Sequence, residues 1–196
     1  YSNEAERRAF IEAFAGSNRL IVDYLISEVL QSQSEATRLF LLRSSILDHF
    51  CAELCDQVVF DGATGNSQPI LETLEQANMF LVPLDNQRHW YRYHHLFSEM
   101  LFHSLRRASP DLIPVLHRES SRWFEGNGFI PEAVKHAIAS QDWEHVNGLL
   151  DRYALPIIFP GFGRLVIDWC RQIPRSFLEK APDICIYYAW ALVLTF

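Results

Sequence analysis

One stretch interrupts a chain whose apolar residues otherwise recur at the helical period. Met79-Phe80-Leu81-Val82-Pro83-Leu84 and Trp90-Tyr91-Arg92-Tyr93 flank the polar stretch Asp85-Asn86-Gln87-Arg88. Two short runs rich in aromatic and branched residues around a four-residue polar loop predict a β-hairpin. Helix is expected to resume at His94 or His95, with Phe97, Leu101 and Leu105 on one line and Leu96 and Met100 beside it. Before the hairpin, Ser17-Asn18 offers an N-cap for a stripe running from Leu20 to Leu30, and Ser34 caps a helix ending near Ser45. A short helix is predicted over roughly Ala52 to Val59. After the Asp61-Gly62 and Gly65-Asn66 loop, Pro69 sits in the first turn of another that reaches about Asn78. Helices, a hairpin and a further helix outline a winged helix.

From Pro110 onward helix follows helix. The pattern gives Asp111 to Glu125 up to Gly126-Asn127-Gly128, a helix after Pro131, one from Trp143 to Leu150, and Leu165 to Arg171 after the Pro160-Gly161-Phe162-Gly163 break. A last helix is expected from Asp183. Short helix pairs with small residues such as Ala133, Ala137, Ala189 and Ala191 at crossings suggest an α-solenoid of tetratricopeptide type. The predicted fold class is therefore mainly α: a winged helix with a short β-hairpin, then α-solenoid helix pairs. The expected domains are 1–33 as the end of a helical arm, 34–108 as the winged helix, and 109–196 as the start of a helical-repeat domain.

Charge limits what this chain can bind. The 196 residues carry a formal net charge of -7, which opposes affinity for nucleic acid or an anionic membrane surface. Between Phe40 and Leu105 the basic residues are Arg43, Arg88 and Arg92, with no lysine, against eight acidic ones. A duplex reader presents Lys and Arg to phosphates, so direct DNA binding by this wing is not expected. No signal peptide is evident and no apolar run is long enough to cross a bilayer. The expectation is a cytoplasmic protein without a membrane partner. Cys51, Cys55, Cys170 and Cys185 show no paired C-x-x-C motif, and read as buried free thiols. The chain starts without Met inside a helical pattern and stops within another, so it reads as an internal piece of a longer protein.

Catalytic motifs are absent. No Gly-Lys dipeptide exists, so no Walker loop can form, and neither Gly-x-Ser-x-Gly nor His-Glu-x-x-His occurs. The carboxylates Glu72 and Glu75, or Glu119 and Glu125, read as solvated helix faces, and Trp123-Phe124 and Trp143 as core. No catalytic residue and no metal ligand is assigned. A metal-dependent hydrolase built on His94, His95 and His103 remains an alternative, though a third ligand has no convincing spacing.

Several segments together resemble a known family. These are Phe14-Ala15-Gly16-Ser17-Asn18-Arg19, Val22-Asp23-Tyr24-Leu25, Phe40-Leu41-Leu42-Arg43-Ser44-Ser45-Ile46-Leu47-Asp48, and Leu54-Cys55-Asp56. To them add Phe80-Leu81-Val82-Pro83-Leu84-Asp85, Trp90-Tyr91-Arg92-Tyr93-His94-His95-Leu96-Phe97, Leu116-His117-Arg118, Ala133-Val134-Lys135-His136-Ala137 and Asp142-Trp143-Glu144. The chain resembles MalT-like transcription activators, the large ATP-binding members of the LuxR family within the STAND class of signal-transduction ATPases. That resemblance implies a parent with an ATPase core before this segment, a tetratricopeptide-like sensor after it, and a C-terminal helix-turn-helix as its only DNA contact. ATP or ADP would be the parent's cofactor, with none bound by this segment alone. Implied partners are the other domains of the polypeptide and an unidentified small-molecule inducer or regulatory protein.

The resemblance also gives one histidine a role. Tyr93-His94-His95-Leu96 is similar to the Met-His-Asp-Leu motif of related STAND ATPases, whose histidine reaches the β-phosphate of bound ADP. Carried over, His94 is the candidate cofactor-binding residue, with nucleotide supplied by the ATPase core. An imidazole donor at a helix start suits a phosphate oxygen, and a charge-assisted hydrogen bond contributes roughly 1.5–3 kcal/mol. His95 stands where the motif has Asp. A helical-repeat interaction scaffold without nucleotide dependence is the second reading.

Overall fold

The computed structural model describes Leu30, residues 32–77 and residues 79–195. The predicted cap at Ser17-Asn18, the stripe from Leu20 and nearly all of the 1–33 arm lie outside those residues. The described chain is helical apart from one two-stranded antiparallel hairpin. It forms two compact units. One holds the described residues up to Ala52 with Asn66–Ala108, and the other holds Glu53–Gly65 and Ser109 onward.

In the first unit, α1 spans Glu35–Ser44, and Ser34 caps it by accepting from the Thr37 N–H at 3.2 Å. Glu35 in the first turn and Arg43 in the last complement the helix dipole. Helix α2 (Ala52–Val59) begins where this unit ends, and α3 follows over Ser67–Gln76. Strands β1 (Leu81–Pro83) and β2 (Tyr91–Tyr93) pair with Leu81 opposite Tyr93 and Pro83 opposite Tyr91. Phe50 adds a bridge on the outer side of β2, exchanging two backbone hydrogen bonds of 2.8 Å with Tyr91. Helix α4 then runs over His95–Ala108.

The two-residue period of β2 turns Tyr91 and Tyr93 inward and Arg92 out. Tyr93 is 3% exposed and packs between Phe50, at 4.7 Å between ring centroids, and Phe97, at 5.6 Å. Its hydroxyl lies 2.8 Å from the Ser44 Oγ, which itself donates to the Phe40 carbonyl at 2.6 Å. Ser44 has a single hydroxyl proton, so Tyr93 is the donor in the second bond. Phe97, Leu101 and Leu105 are all buried on the predicted line, while Leu96 is exposed, on the solvent side of the same helix.

In the second unit, the loop after α2 is held by Asp56. Its carboxylate accepts the Gly65 N–H at 2.6 Å and its carbonyl accepts from Phe60 and Gly62. Asp61, Gly62 and Gly65 there all have positive φ, which the Asp-Gly and Gly-Asn signals anticipated. Helices α5 (Leu112–Gly126), α6 (Ile130–Ser140) and α7 (Trp143–Ile157) follow with links of two or three residues. Such short links force neighbouring helices to run antiparallel. Ala133 and Ala137, both fully buried, let α6 approach its neighbours closely.

Helix α7 extends past the predicted end at Leu150, carrying Pro156 in its final turn. The Pro160-Gly161 break is a kink within Ile158–Phe162, where Gly161 leaves the helical region at φ 100. Glycine reaches that conformation at no steric cost. Helix α8 (Gly163–Cys170), a short α9 (Arg175–Leu178) that the apolar periodicity did not reveal, and α10 (Pro182–Thr195) complete the chain. A Cβ at Gly163 would come within 2.5 Å of the Thr195 Oγ1 and 3.3 Å of the Ala191 carbonyl oxygen, so this position keeps α8 against α10. Cys51, Cys55 and Cys170 are buried as expected. Cys185 is exposed, because α10 turns it outward.

Tyr93→Phe removes the donor to Ser44 while keeping the ring. It should lower the stability of the first unit by about 1 kcal/mol, read as a shift in the urea midpoint followed by aromatic circular dichroism.

Candidate functional site

His94 occupies the junction between β2 and α4. Its N–H donates to the Phe80 carbonyl at 2.8 Å, and its own carbonyl accepts from the Ser98 N–H at 3.0 Å, opening the helix. Phe80 reaches that position with φ 54, a left-handed conformation that costs a β-carbon-bearing residue on the order of 1 kcal/mol. Stacking of its ring on Phe97, at 5.0 Å and 25°, offsets the strain. The backbone of His94 is thereby fixed from both sides while its side chain remains exposed. The ring lies 4.5 Å from that of His95, also exposed. The first turn of a helix has backbone N–H groups without intrahelical partners, and such a turn beside an exposed imidazole suits a phosphate.

His103 lies two turns on, half-buried, with its Nδ1 3.2 Å from the Arg106 guanidinium. Among the described residues, His94, His95 and His103 are not gathered with one another into a three-ligand cluster.

The wing between the strands is held by one carboxylate. Asp85 accepts from the His89 N–H at 3.0 Å and the Trp90 N–H at 2.8 Å, and these bonds hold its carboxyl below the ordinary value of 3.8. Arg88 folds back to Glu75 at 3.2 Å, so a wing cation is already committed to a carboxylate. Burial, with Glu75 beside it, raises the Tyr91 phenol. Arg92 is exposed on β2 beside it.

In the second unit, polar contacts join α5 to both α6 and α7. The Nδ1 atoms of His117 and His136 lie 2.8 Å apart between α5 and α6, with the Phe124 ring stacked 5.4 Å from His136. A bond between two imidazole nitrogens requires one to donate and the other to accept. Ser121, fully buried, donates to the Ala133 carbonyl at 2.7 Å, and its Oγ is 3.0 Å from the His145 Nε2. Because the serine proton is committed to a carbonyl, Nε2 must carry the hydrogen. That is the reverse of a nucleophile–base pair, in which the imidazole takes the serine proton. The cluster has a structural role, with Arg118–Asp142 at 3.2 Å and Arg152–Glu125 at 2.6 Å around it.

Glu119 and Glu125 are half-buried and ion-paired, as is Glu75, where the sequence suggested solvated faces. Phe124 is core as expected, whereas Trp123 and Trp143 are half-buried. Sequence reasoning missed the His117–His136 and Ser121–His145 contacts. Their partners lie 19 and 24 residues apart, and only the packing of α5 against α6 and α7 brings them together.

Residues 26–113 match the MalT winged helix domain. That segment is similar to a winged helix of the MalT type. The chain is 30% identical over 171 residues to the HTH-type transcriptional regulator MalT of Vibrio cholerae, covering 86% of this chain and 18% of the relative. The Klebsiella pneumoniae MalT is 29% identical over 191 residues, covering 97% of this chain and 21% of that protein. The serine/threonine-protein kinase PknK of Mycobacterium tuberculosis is 27% identical over 184 residues, covering 94% of this chain and 16% of its own length. The chain thus spans about a fifth of the length of the curated relatives it matches. No helix among the described residues is long and apolar enough to cross a membrane.

Two outcomes follow from this geometry. The depressed Asp85 carboxyl supports the wing above the unfolded carboxylate range, and that support is lost as pH falls through its folded value. Hydrogen exchange at the His89 and Trp90 amides should accelerate relative to the strand amides on acidification below pH 4, and in Asp85→Ala at neutral pH. Ser121→Ala leaves the His145 N–H and the extra Ala133 carbonyl bond without a partner. It should cost about 1–3 kcal/mol, measured by thermal unfolding of the helix-pair unit.

Proposed function

We propose that this chain is the non-catalytic coupling module of a longer MalT-like transcription regulator. The winged helix reads the nucleotide held by another domain of the same polypeptide, and the helical unit begins a tetratricopeptide-like sensor for a small-molecule inducer or regulatory protein. The observation that carries this reading is the position of His94. It sits exposed at the start of α4, with its backbone clamped to Phe80, in a segment matching the MalT winged helix domain.

The chemistry needs little from the chain itself. ATP or ADP would be bound by a separate nucleotide-binding domain. His94 would donate to a β-phosphate oxygen and join the winged helix to that domain in the resting state. Loss of one such contact, worth roughly 1.5–3 kcal/mol, converts to a factor of about ten or more in nucleotide retention. DNA contact would be made through a C-terminal helix-turn-helix elsewhere in the polypeptide, in keeping with the acidic balance here.

In the full-length protein, His94→Ala should speed ADP release about tenfold and raise basal transcription, followed with a fluorescent ADP analogue and a reporter. An unchanged release rate together with unchanged basal transcription refutes the role of His94.

The likeness to a protein kinase across nearly the whole chain favours a second reading of the parent's output, in which the same module regulates phosphoryl transfer rather than transcription. Assaying the full-length protein for site-specific DNA binding and for kinase activity separates the two.

A further inference from the structure

A cavity of about 500 Å³ opens between α8, α9 and α10 of the second unit. Its floor is apolar: Cys170, Ile173 and Ile184 are buried there, and Leu178 and Tyr188 are half-buried on its walls. That volume falls within the range of small-molecule sites, which combine an apolar body with a few fixed polar groups.

The mouth has a definite charge. Arg171 and Arg175 line it together with a single carboxylate, Glu179. Each guanidinium touches a carboxylate only loosely, Arg171 with Asp168 at 3.6 Å and Arg175 with Glu179 at 3.4 Å, and all four side chains are more than half exposed. Exposed pairs of this kind are weak. A guanidinium offers five N–H donors, so both arginines keep donors for a further oxygen. Two arginines beside an apolar chamber favour an occupant with an anionic head over a cationic one, against a chain of net charge -7.

We propose that this cavity binds a small amphipathic carboxylate, its apolar part on Ile173, Leu178, Ile184 and Tyr188 and its carboxylate between Arg171 and Arg175. This names a ligand class for the sensing half of the function proposed above, and rests on that reading for its regulatory consequence. Occupation itself does not depend on it.

The chain contains its own reporter. Of the four cysteines only Cys185 is exposed, and it lines the cavity. Burial pushes the neighbouring Cys170 thiol up to about 12, so it stays unreactive at neutral pH. Alkylation by iodoacetamide, followed by intact mass, therefore reads Cys185. Octanoate is the probe and 1-octanol its neutral counterpart.

Saturating octanoate should slow Cys185 alkylation about fivefold or more, with 1-octanol far less effective. Arg171→Gln with Arg175→Gln should raise the octanoate concentration for half-protection about tenfold, the scale of one lost charge-assisted contact. Both arginines are exposed, so the fold should be kept, which the helical circular dichroism checks. Leu178→Trp, which fills the chamber, should abolish protection without octanoate dependence. Equal protection by 1-octanol, unchanged protection in the double arginine variant, or no protection at all overturns the proposal. So does a Cys185 that is unreactive without any probe in the full-length protein, since protein would then already fill the cavity. Octanoate binding that leaves ADP release from the full-length protein unchanged upholds the cavity and removes the sensing reading instead.

Discussion

Strand β2 is three residues long, and two of them face inward as tyrosines. Tyr91 is flanked on both sides, by β1 through Pro83 and by Phe50 through two backbone bonds. Tyr93 closes a hydrogen-bonded line from its phenol through Ser44 to the Phe40 carbonyl in α1. Because strand side chains alternate, a slip of one residue would bury Arg92 and expose both rings. The register of this short strand therefore fixes where α4 begins, and with it the position of His94. The left-handed Phe80 works in the same direction, its carbonyl holding the His94 N–H while its ring caps Phe97.

The second unit solves a different problem. Amphipathic helices packed through small residues can slide, because apolar contact is non-directional. Directional bonds from α5 to both α6 and α7 remove that freedom. His117 meets His136, Ser121 meets Ala133 and His145, and Arg118 meets Asp142, which also caps α7 through the His145 N–H. A bond between two side chains in this cluster fixes which of them donates. The tautomers of His145 and of the histidine pair are thereby constrained by their partners.

Much of the local structure was legible in the residues. Ser34 is the cap that the sequence indicates, α2 spans the predicted residues, and the hairpin falls on the two aromatic runs. The Gly-rich break at Pro160–Gly163 was placed correctly, and Gly161 kinks the chain there at φ 100. The short α9 escaped because four residues carry too little periodicity to register. Cys185 was misjudged for a related reason. The last helix is apolar on every side, so its sequence does not reveal which face turns outward.

Composition, period and motif content by themselves determined a mainly helical chain with one hairpin, no Gly-Lys dipeptide, and an acidic excess around the wing. These are properties of local pattern and charge, which need no contacts to be read. Only the tertiary structure decided which polar side chains meet. The pairing of His117 with His136, the commitment of the Ser121 proton to a carbonyl, the clamped junction at His94 and the arginine-rimmed cavity over Cys170 all join residues distant in sequence or on separate elements. Their geometry depends on helix register, which is set by side-chain packing rather than by any single segment.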